Sequence, residues 1–301
     1  MAGPGKIFFS NEKWYGAIVI GSKHRVNLPS GAFLDFSGPA LIMAIVNCND
    51  DSFYADSRAL GEKAVEKALA AEREGASIID FGAESSRPGS LYISLEEELE
   101  RLVPVLTAFR KRSSLPVSVD TRKAAVARSA LDAGADIIND ISALTDDPDM
   151  AQVCVSSGAA VVLMHKKGVP LSMQEDPRYD DVACELKNFF LKAAGRARAA
   201  GIPGEKIILD PGIGFGKTRE NNLEILCRLA EICGTDYPVM AGVSHKQFIG
   251  EITGRNEGEG LSGTLAANGA AIMNGASIIR VHDVREHVDL VKVLYALQGA
   301  V

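Results

Sequence analysis

PVSVDTRKAAVARSALDAGADIIND, residues 116–140, contains the pattern that decides the fold. Two short apolar runs, PVSVD (116–120) and DIIND (136–140), end in polar side chains and enclose a helical pattern. Neither run alternates apolar with polar residues along its length, which is typical of parallel strands buried on both faces. Six further runs of this kind are ALIMAIVN (40–47), SIIDFG (77–82), AAVVLMH (159–165), KIILD (206–210), PVMAGVS (238–244) and SIIRVH (277–282).

Helical patterns separate these apolar runs. Ser94 and Glu97 predict a capping box before a helix that contains Pro104, where we expect a kink. Apolar residues at helical spacing predict two more helices, at 182–193 and 288–297. Eight β–α units in sequence predict an α/β fold, a TIM (β/α)8 barrel, with a doubly wound sheet as the alternative.

The first 38 residues precede the first β–α unit. They contain two possible short strands, Ala17–Ile20 and Ala32–Phe36, which predict a strand pair over the N-terminal mouth of the barrel. We expect residues 1–301 to form a single domain, with residues 1–38 as an extension and residues 39–301 as the barrel.

Composition narrows the class of protein. The chain has 301 residues, 47% apolar and 24% charged, as in ordinary globular proteins. A net charge of −7 argues against a general nucleic-acid binder. No apolar run is long enough to span a bilayer, and the first 16 residues have no apolar core of a signal peptide. Five cysteines without C-x-x-C spacing predict reduced thiols, so we expect a cytoplasmic protein that binds no membrane.

Polar side chains stand at the ends of nearly all the predicted strands. In a TIM barrel the catalytic residues lie at the C-terminal ends of the strands, so we expect these side chains to meet at one mouth. The set mixes carboxylates, amides and basic groups, which suits a ligand with an amide-rich heterocycle and a phosphate. Its members are Asn47, Asp80, Asp120, Asn139, Asp140, His165, Asp210, Ser244, Lys246, Arg280 and His282.

Two further motifs do not carry the chemistry that they first suggest. GIGFGKT (212–218) lacks the first glycine of a nucleotide P-loop, because position 211 is Pro211. Its glycines predict a tight loop that lets the backbone approach a flat ligand. Ser244, followed by His245 and Lys246, is not surrounded by a G-x-S-x-G elbow, which argues against acyl transfer.

From about Leu41 to its end, the chain resembles dihydropteroate synthases. The motifs follow one another in the order of that family, and their combination is specific. They are Asn47 with Asp51-Ser52-Phe53, Glu84-Ser85-Ser86-Arg87-Pro88-Gly89, Val119-Asp120-Thr121, Ile138-Asn139-Asp140, LDPGIGFGK (209–217), Ser244 to Lys246, and Arg280-Val281-His282-Asp283-Val284.

The resemblance implies a reaction and its partners. The family joins 6-hydroxymethyl-7,8-dihydropterin diphosphate to 4-aminobenzoate, which gives 7,8-dihydropteroate and pyrophosphate for folate synthesis. It also implies a homodimer, Mg²⁺ and inhibition by sulfonamides.

The resemblance further implies roles for individual residues, and side-chain chemistry fits them. Asp210 would accept the paired donors of the pterin edge, while Asn139 and Lys246 would contact the rest of the ring. Arg280 would stack on the ring beside phosphate, and Asp120 would stabilise positive charge on the pterin. The diphosphate would contact Ser86, His282 and the backbone of Arg280 to His282, including Val281, with Ser244 in the same diphosphate-binding set. Arg87 would be a further substrate contact from the second loop, and Asn47 would bind Mg²⁺. We expect Asp120, Lys246, Arg280 and His282 to form the catalytic set, and Asp140 and His165 to be structural.

The sequence departs from the family pattern mainly in the first loop. Asn49 and Asp50 replace Thr and Pro, Ser86 replaces Thr in the second loop, and His245 replaces an Arg. Asp50 adds negative charge near the expected diphosphate site, and loss of Pro frees one backbone angle. Two alternatives share the fold: a methyltetrahydrofolate:corrinoid methyltransferase, and a pterin-binding paralogue without activity.

Overall fold

The protein is described by a computed structural model covering residues 25–48, 57–85, 89–169, 171–234, 236–256 and 259–299. The strands are β1 (Arg25–Asn27), β2 (Phe33–Asp35), β3 (Leu41–Asn47), β4 (Ile78–Gly82), β5 (Val117–Asp120), β6 (Ile137–Asp140), β7 (Ala160–Met164), β8 (Ile207–Asp210), β9 (Met240–Ala241) and β10 (Ile278–Val281). The helices are α1 (Ser57–Glu74), α2 (Leu95–Arg110), α3 (Ala124–Asp132), α4 (Met150–Ser157), α5 (Val182–Ala199), α6 (Arg219–Cys227), α7 (Leu229–Cys233), α8 (Gln247–Thr253), α9 (Leu261–Met273) and α10 (Val284–Gln298), with a 3₁₀ turn at Gly204–Lys206.

Strands β3 to β10 form one parallel sheet that closes on itself. Their order is β8-β7-β6-β5-β4-β3-β10-β9, and a parallel bridge between Leu209 of β8 and Val239 joins the two ends. Helices follow the strands around the outside. The predicted TIM barrel is therefore confirmed, and the doubly wound alternative is wrong, because that fold leaves two open sheet edges.

The strands form where the sequence has short apolar runs, since each strand is covered on both sides. Every residue of β4, β5, β6, β7 and β8 is buried. The seventh run, predicted at 238–244, forms the shortest strand, only Met240–Ala241. The chain leaves the sheet after Ala241 and carries residues 242–246 across the mouth of the barrel before α8 begins.

A second apolar cluster fills the N-terminal end of the barrel beneath the strand pair. Val26, Leu28, Leu34 and Phe36 pack with the first residues of the barrel strands. Asp136 ties the two parts together, because its carboxylate accepts the Ser30 N–H at 3.1 Å as well as Arg110 at 2.6 Å. The predicted position of the pair over this mouth is confirmed.

One of the two strands of this pair is formed by a different segment from the one predicted. Phe33–Asp35 lies within the predicted 32–36, but its antiparallel partner is Arg25–Asn27. The other predicted strand, Ala17–Ile20, lies outside the described residues. Three residues were enough for a strand here because the apolar side chain of Val26, at its centre, packs into the barrel end while its neighbours face solvent.

The helices follow their predicted positions closely. Ser94 caps α2 by accepting the Glu97 N–H at 3.1 Å, while the Glu97 carboxylate pairs with Arg101. Pro104 lies inside α2, which continues to Arg110. No helix in the described part of the chain combines the length and the apolar composition that a membrane-spanning segment requires.

Candidate active site

A cavity of about 860 Å³ opens at the C-terminal mouth of the barrel. Eight of the side chains that the sequence analysis placed at strand ends line it, together with the loop that follows β8. These are Asn47, Asp120, Asn139, Asp210, Ser244, Arg280 and His282, with Lys246 on the segment before α8. The barrel therefore brings together carboxylate, amide, imidazole and cationic groups from the ends of five of its eight strands and from the segment that follows β9.

Arg280, on β10, is held between two carboxylates. Its Nε donates to Asp80 Oδ2 at 2.6 Å, and its Nη2 contacts Asp120 Oδ2 at 2.9 Å. Asp80, on β4, is fully buried, and Asn139 Nδ2 donates to the same oxygen at 3.3 Å. The guanidinium plane is thus fixed by acceptors from two other strands before any substrate binds.

This cluster has more negative than positive charge. Burial raises the pKa of Asp120 to about 7; Arg280 acts in the opposite direction, and Asp80 adds to the rise. Two carboxylates that share one guanidinium cannot both be neutralised by it, so the second charge is costly in a buried site. Asp120 is therefore harder to ionise than an ordinary carboxyl group.

Asp210 ends β8 and begins a loop that folds back on the barrel. Its Oδ1 accepts the Gly212 N–H at 2.7 Å, and burial raises the pKa of its carboxyl. Gly212 and Gly216 have φ values of 64°. A Cβ at Gly212 would lie 2.0 Å from the His165 carbonyl oxygen, and one at Gly216 would lie 2.1 Å from that of Lys167. Glycine is required at both positions because the loop packs directly against the chain after β7.

Lys217 stabilises this loop through contacts with its main-chain carbonyl oxygens. Its buried ammonium group contacts the carbonyl oxygens of Gly212 at 2.9 Å and Phe215 at 3.1 Å, and His165 Nδ1 at 3.0 Å. Burial lowers the pKa of Lys217 to about 7 and that of His165 to about 2, so the imidazole is neutral and accepts through Nδ1. The loop is therefore anchored from within, and it presents the Phe215 ring beneath Lys246, whose Nζ lies 4.2 Å from the ring centroid.

The segment after β9 carries two adjacent side chains that contact the end of β10. Ser244 Oγ lies 2.9 Å from His282 Nδ1. His245 Nε2 lies 2.7 Å from Asp283 Oδ2, and the rings of His245 and His282 are 5.8 Å apart. His245 has a φ of 52°, a region that non-glycine residues rarely adopt. This turn directs neighbouring side chains toward two successive residues of the β10–α10 connection.

Comparison with known proteins identifies the family. The family model described as "Pterin binding enzyme" matches residues 43–282. The dihydropteroate synthase of Escherichia coli (strain K12) is 43% identical over 272 residues, which are 90% of this chain and 95% of that protein. The chain belongs to the dihydropteroate synthase family.

Solved structures of the family agree. Dihydropteroate synthase from Xanthomonas albilineans with 4-aminobenzoic acid has a TM-score of 0.85 at 38% identity, covering 92% of this chain and 99% of that one. The same enzyme in complex with 7,8-dihydropteroate has a TM-score of 0.81 at 36% identity, covering 91% and 98%. The family prediction made from the strand-end motifs is confirmed, and with it the prediction of a transferase of folate synthesis.

Some residues that the sequence analysis named lie outside the described part of the chain. Ser86 and Arg87 lie outside the described residues, as do Asn49 and Asp50 of the atypical first loop. The Val281 side chain is fully buried in the core and does not line the cavity, so only its backbone is available to a ligand. Asp140 accepts N–H groups of Ser142 and Leu144, which fits the structural role expected for it.

The second loop is anchored by a residue whose role the sequence analysis left open. Glu84 accepts Arg122 Nε at 3.1 Å, Lys123 Nζ at 2.8 Å and the Ile93 N–H at 3.0 Å. These contacts reach Glu84 from the segment after β5 and from the end of the second loop. These contacts hold Glu84 in place at the start of the second loop, two residues before Ser86 in the sequence.

Besides Glu84, two residues of the site were assigned no role from the sequence. Asp80 was noted only as one of the strand-end polar residues, and Lys217 only as the last residue of a glycine-rich motif. A charged side chain inside the run SIIDFG is unusual, since a buried carboxylate requires a partner. The sequence could not show that this partner is Arg280, because the two lie 200 residues apart.

The donor set allows a limited role for a divalent cation. Asn47, at the end of β3, lines the cavity, and its side chain contains an amide oxygen. Among the described residues, no group of three or more histidine, cysteine or acidic side chains could hold a metal ion. Mg²⁺ commonly keeps several waters and binds substrate phosphates with one or two protein oxygens, so Asn47 fits an ion that arrives with a diphosphate.

Proposed function

We propose that this chain condenses 6-hydroxymethyl-7,8-dihydropterin diphosphate with 4-aminobenzoate to form 7,8-dihydropteroate and pyrophosphate. The carbon–oxygen bond between the pterin methylene and the diphosphate breaks, a carbon–nitrogen bond forms, and the amine loses a proton to solvent. The observation that carries the proposal is one cavity lined by Asp210 and Asn139 together with the basic groups Lys246, Arg280 and His282.

The pterin would bind at the deeper, acceptor-rich part of the cavity. Asp210 accepts the paired donors of the pterin amine and its neighbouring ring N–H, for which a carboxylate has enough lone pairs. Asn139 and Lys246 contact the remaining ring atoms. The Phe215 ring, held beneath Lys246, provides an apolar wall near the place where the aromatic amine must approach.

Departure of pyrophosphate is the difficult step, because the aromatic amine is already neutral at pH 7 and needs no strong base. Arg280 and His282, with the Val281 backbone, would bind the diphosphate, and Ser244 would contribute through its hydrogen bond to His282. Asp120 in its ionised form would stabilise positive charge that develops on the pterin as the leaving group departs. The anionic diphosphate would interact with the positive charge of Arg280, which also forms ion pairs with Asp80 and Asp120.

Mg²⁺ would be held by Asn47 together with phosphate oxygens and water. When bound, it would neutralise charge on the departing pyrophosphate. The protein residues supply the remaining contacts: Ser86 and Arg87 are proposed to reach the diphosphate from the second loop.

The deciding experiment measures pyrophosphate release with pterin diphosphate in the presence and absence of 4-aminobenzoate, each with and without Mg²⁺. Aminobenzoate-dependent release supports the synthase. Binding of the pterin diphosphate without release identifies a pterin-binding paralogue that lacks activity. Methyl transfer from methyltetrahydrofolate to a corrinoid, without pyrophosphate release, identifies the other alternative. The absence of both activities and of pterin binding contradicts the proposal.

The binding of phosphate can be tested separately from the reaction. Arg280→Ala and His282→Ala should weaken binding of the pterin diphosphate more than binding of the same pterin without phosphates. Titration calorimetry with both ligands gives the ratio directly. Equal losses for the two ligands would show that neither side chain binds phosphate.

Three further properties remain proposals that family membership supports. We propose a homodimer, a single domain spanning residues 1–301, and inhibition by sulfonamides. Light scattering, limited proteolysis and inhibition of the pyrophosphate assay test them in turn. A cytoplasmic location is also proposed, and the five free cysteines are compatible with it.

A further inference from the structure

Ser244 makes two contacts with a single residue. Its Oγ lies 2.9 Å from His282 Nδ1, and the same oxygen accepts the main-chain N–H of His282 at 3.2 Å. Ser244 is buried, and it lies on the turn whose next residue, His245, has a φ of 52°. The Ser244 hydroxyl therefore contacts both the ring and the main chain of His282.

The number of hydrogen bonds that the Ser244 hydroxyl can make determines which ring nitrogen of His282 carries the proton. Serine has one proton to donate and two lone pairs, of which one accepts the His282 main-chain N–H. The opposite neutral tautomer would place Nδ1–H on the second lone pair and leave the hydroxyl proton to find another acceptor. Among the described residues, Ser244 Oγ contacts only His282, so in the neutral ring the hydroxyl proton is donated to Nδ1 and the ring proton lies on Nε2. When the imidazole is protonated, Nδ1–H donates to the second lone pair of Oγ. In both states Nε2 carries a hydrogen.

We propose that Ser244 is a positioning residue that keeps His282 Nε2 as an N–H donor in both protonation states of the ring. His282 lines the cavity, and Nε2 lies on the side of the ring away from Ser244. This inference rests on the proposed function: the Nε2–H group donates a hydrogen bond to the diphosphate of the substrate and then to the released pyrophosphate. A neutral histidine of the opposite tautomer would instead present a lone pair to an anion, which is repulsive.

Other titratable and charged groups lie near this pair. His245 is 5.8 Å away and contacts Asp283, and the His287 ring in α10 contacts the Asp283 carbonyl oxygen. Arg280 and Lys246 line the same cavity. The inference does not depend on the pH of the transition, because the Ser244 hydroxyl satisfies Nδ1 on either side of it.

The first test is the protonation pattern of His282 in the wild-type, substrate-free protein. With ¹⁵N-labelled histidine, two-bond proton–nitrogen spectra across the titration distinguish the nitrogen that bears hydrogen, and His282→Gln assigns the signals. We expect Nε2 to be the protonated nitrogen of the neutral ring. A proton on Nδ1 at high pH overturns the proposal, whether or not the protein proves to be a synthase.

The second test uses inorganic pyrophosphate as the ligand and pH as the variable. Ser244→Ala should give a mixture of tautomers and weaken pyrophosphate binding about two- to fivefold above the His282 transition, with a smaller change below it. Ser244→Thr retains the hydroxyl and should restore the wild-type spectrum and affinity. A Ser244→Ala protein whose spectrum and affinity match the wild type contradicts the proposal. If Ser244→Ala does not fold, the wild-type and threonine spectra decide.

Discussion

Asp80→Asn is expected to lower the pKa of Asp120 and so move the acid side of the pH–activity profile to lower pH. The substitution preserves the shape of the side chain and removes one of the two charges that share Arg280. Both carboxylate oxygens contact Arg280 Nη2, at 2.6 and 2.9 Å, so they lie within about 5.5 Å of each other. At an effective dielectric constant of about 20, two charges at that distance repel by about 3 kcal/mol, or about two pKa units.

The expected direction follows from the role of the ionised carboxylate. With a pKa of about 7 for Asp120, kcat/KM of the wild type should rise as pH increases through neutrality. In the variant the rise should occur about one to two units lower, because the repulsion that disfavours ionisation is gone. Stability should change little, since loss of hydrogen bonds to Arg280, at about 1.5–3 kcal/mol each, is offset by relief of about 3 kcal/mol of repulsion.

The assay is pyrophosphate release between pH 5 and 9, where kcat/KM reports groups of the free enzyme. A ¹³C carboxyl titration of Asp120 gives the same pKa without turnover. Asp140→Asn is the matched control, because Asp140 is also buried but contributes the weakest of the effects that raise the Asp120 pKa. Its profile should shift less. A uniform loss of activity with an unmoved acid side would show that Asp80 only holds Arg280, and would refute the electrostatic argument.

Three other substitutions test separate parts of the site. Asp120→Asn should lower kcat about 100-fold while direct binding of pterin diphosphate changes much less; a larger loss of affinity than of kcat would assign Asp120 to ground-state binding. Asp210→Asn should weaken pterin binding about 10- to 100-fold, the effect of about 1–3 kcal/mol, and near wild-type affinity by calorimetry would contradict its role. Lys217→Met should lower the free energy of unfolding in urea by about 1–3 kcal/mol, because buried carbonyl oxygens lose their donor, whereas exposed Lys187→Met should change it by less than about 0.5 kcal/mol.

The sequence by itself determined the fold and the family. Burial on both faces makes a parallel strand uniformly apolar, so runs such as PVSVD and DIIND are visible without knowledge of their neighbours. The position of polar residues at strand ends is also a local property. Once the strands were ordered, the general rule for barrels placed Asp120, Asn139 and Asp210 at one mouth.

The tertiary structure alone decided which of these groups contact each other. Arg280 reaches Asp80 and Asp120 across 200 and 160 residues of sequence, and Ser244 reaches His282 across 38. These pairs depend on closure of the barrel, which brings the last strand beside the first, and on the backbone turn at His245. Local patterning encodes burial and helical period, whereas hydrogen-bond partners, and the charges that they share, depend on distances that exist only after the chain has closed.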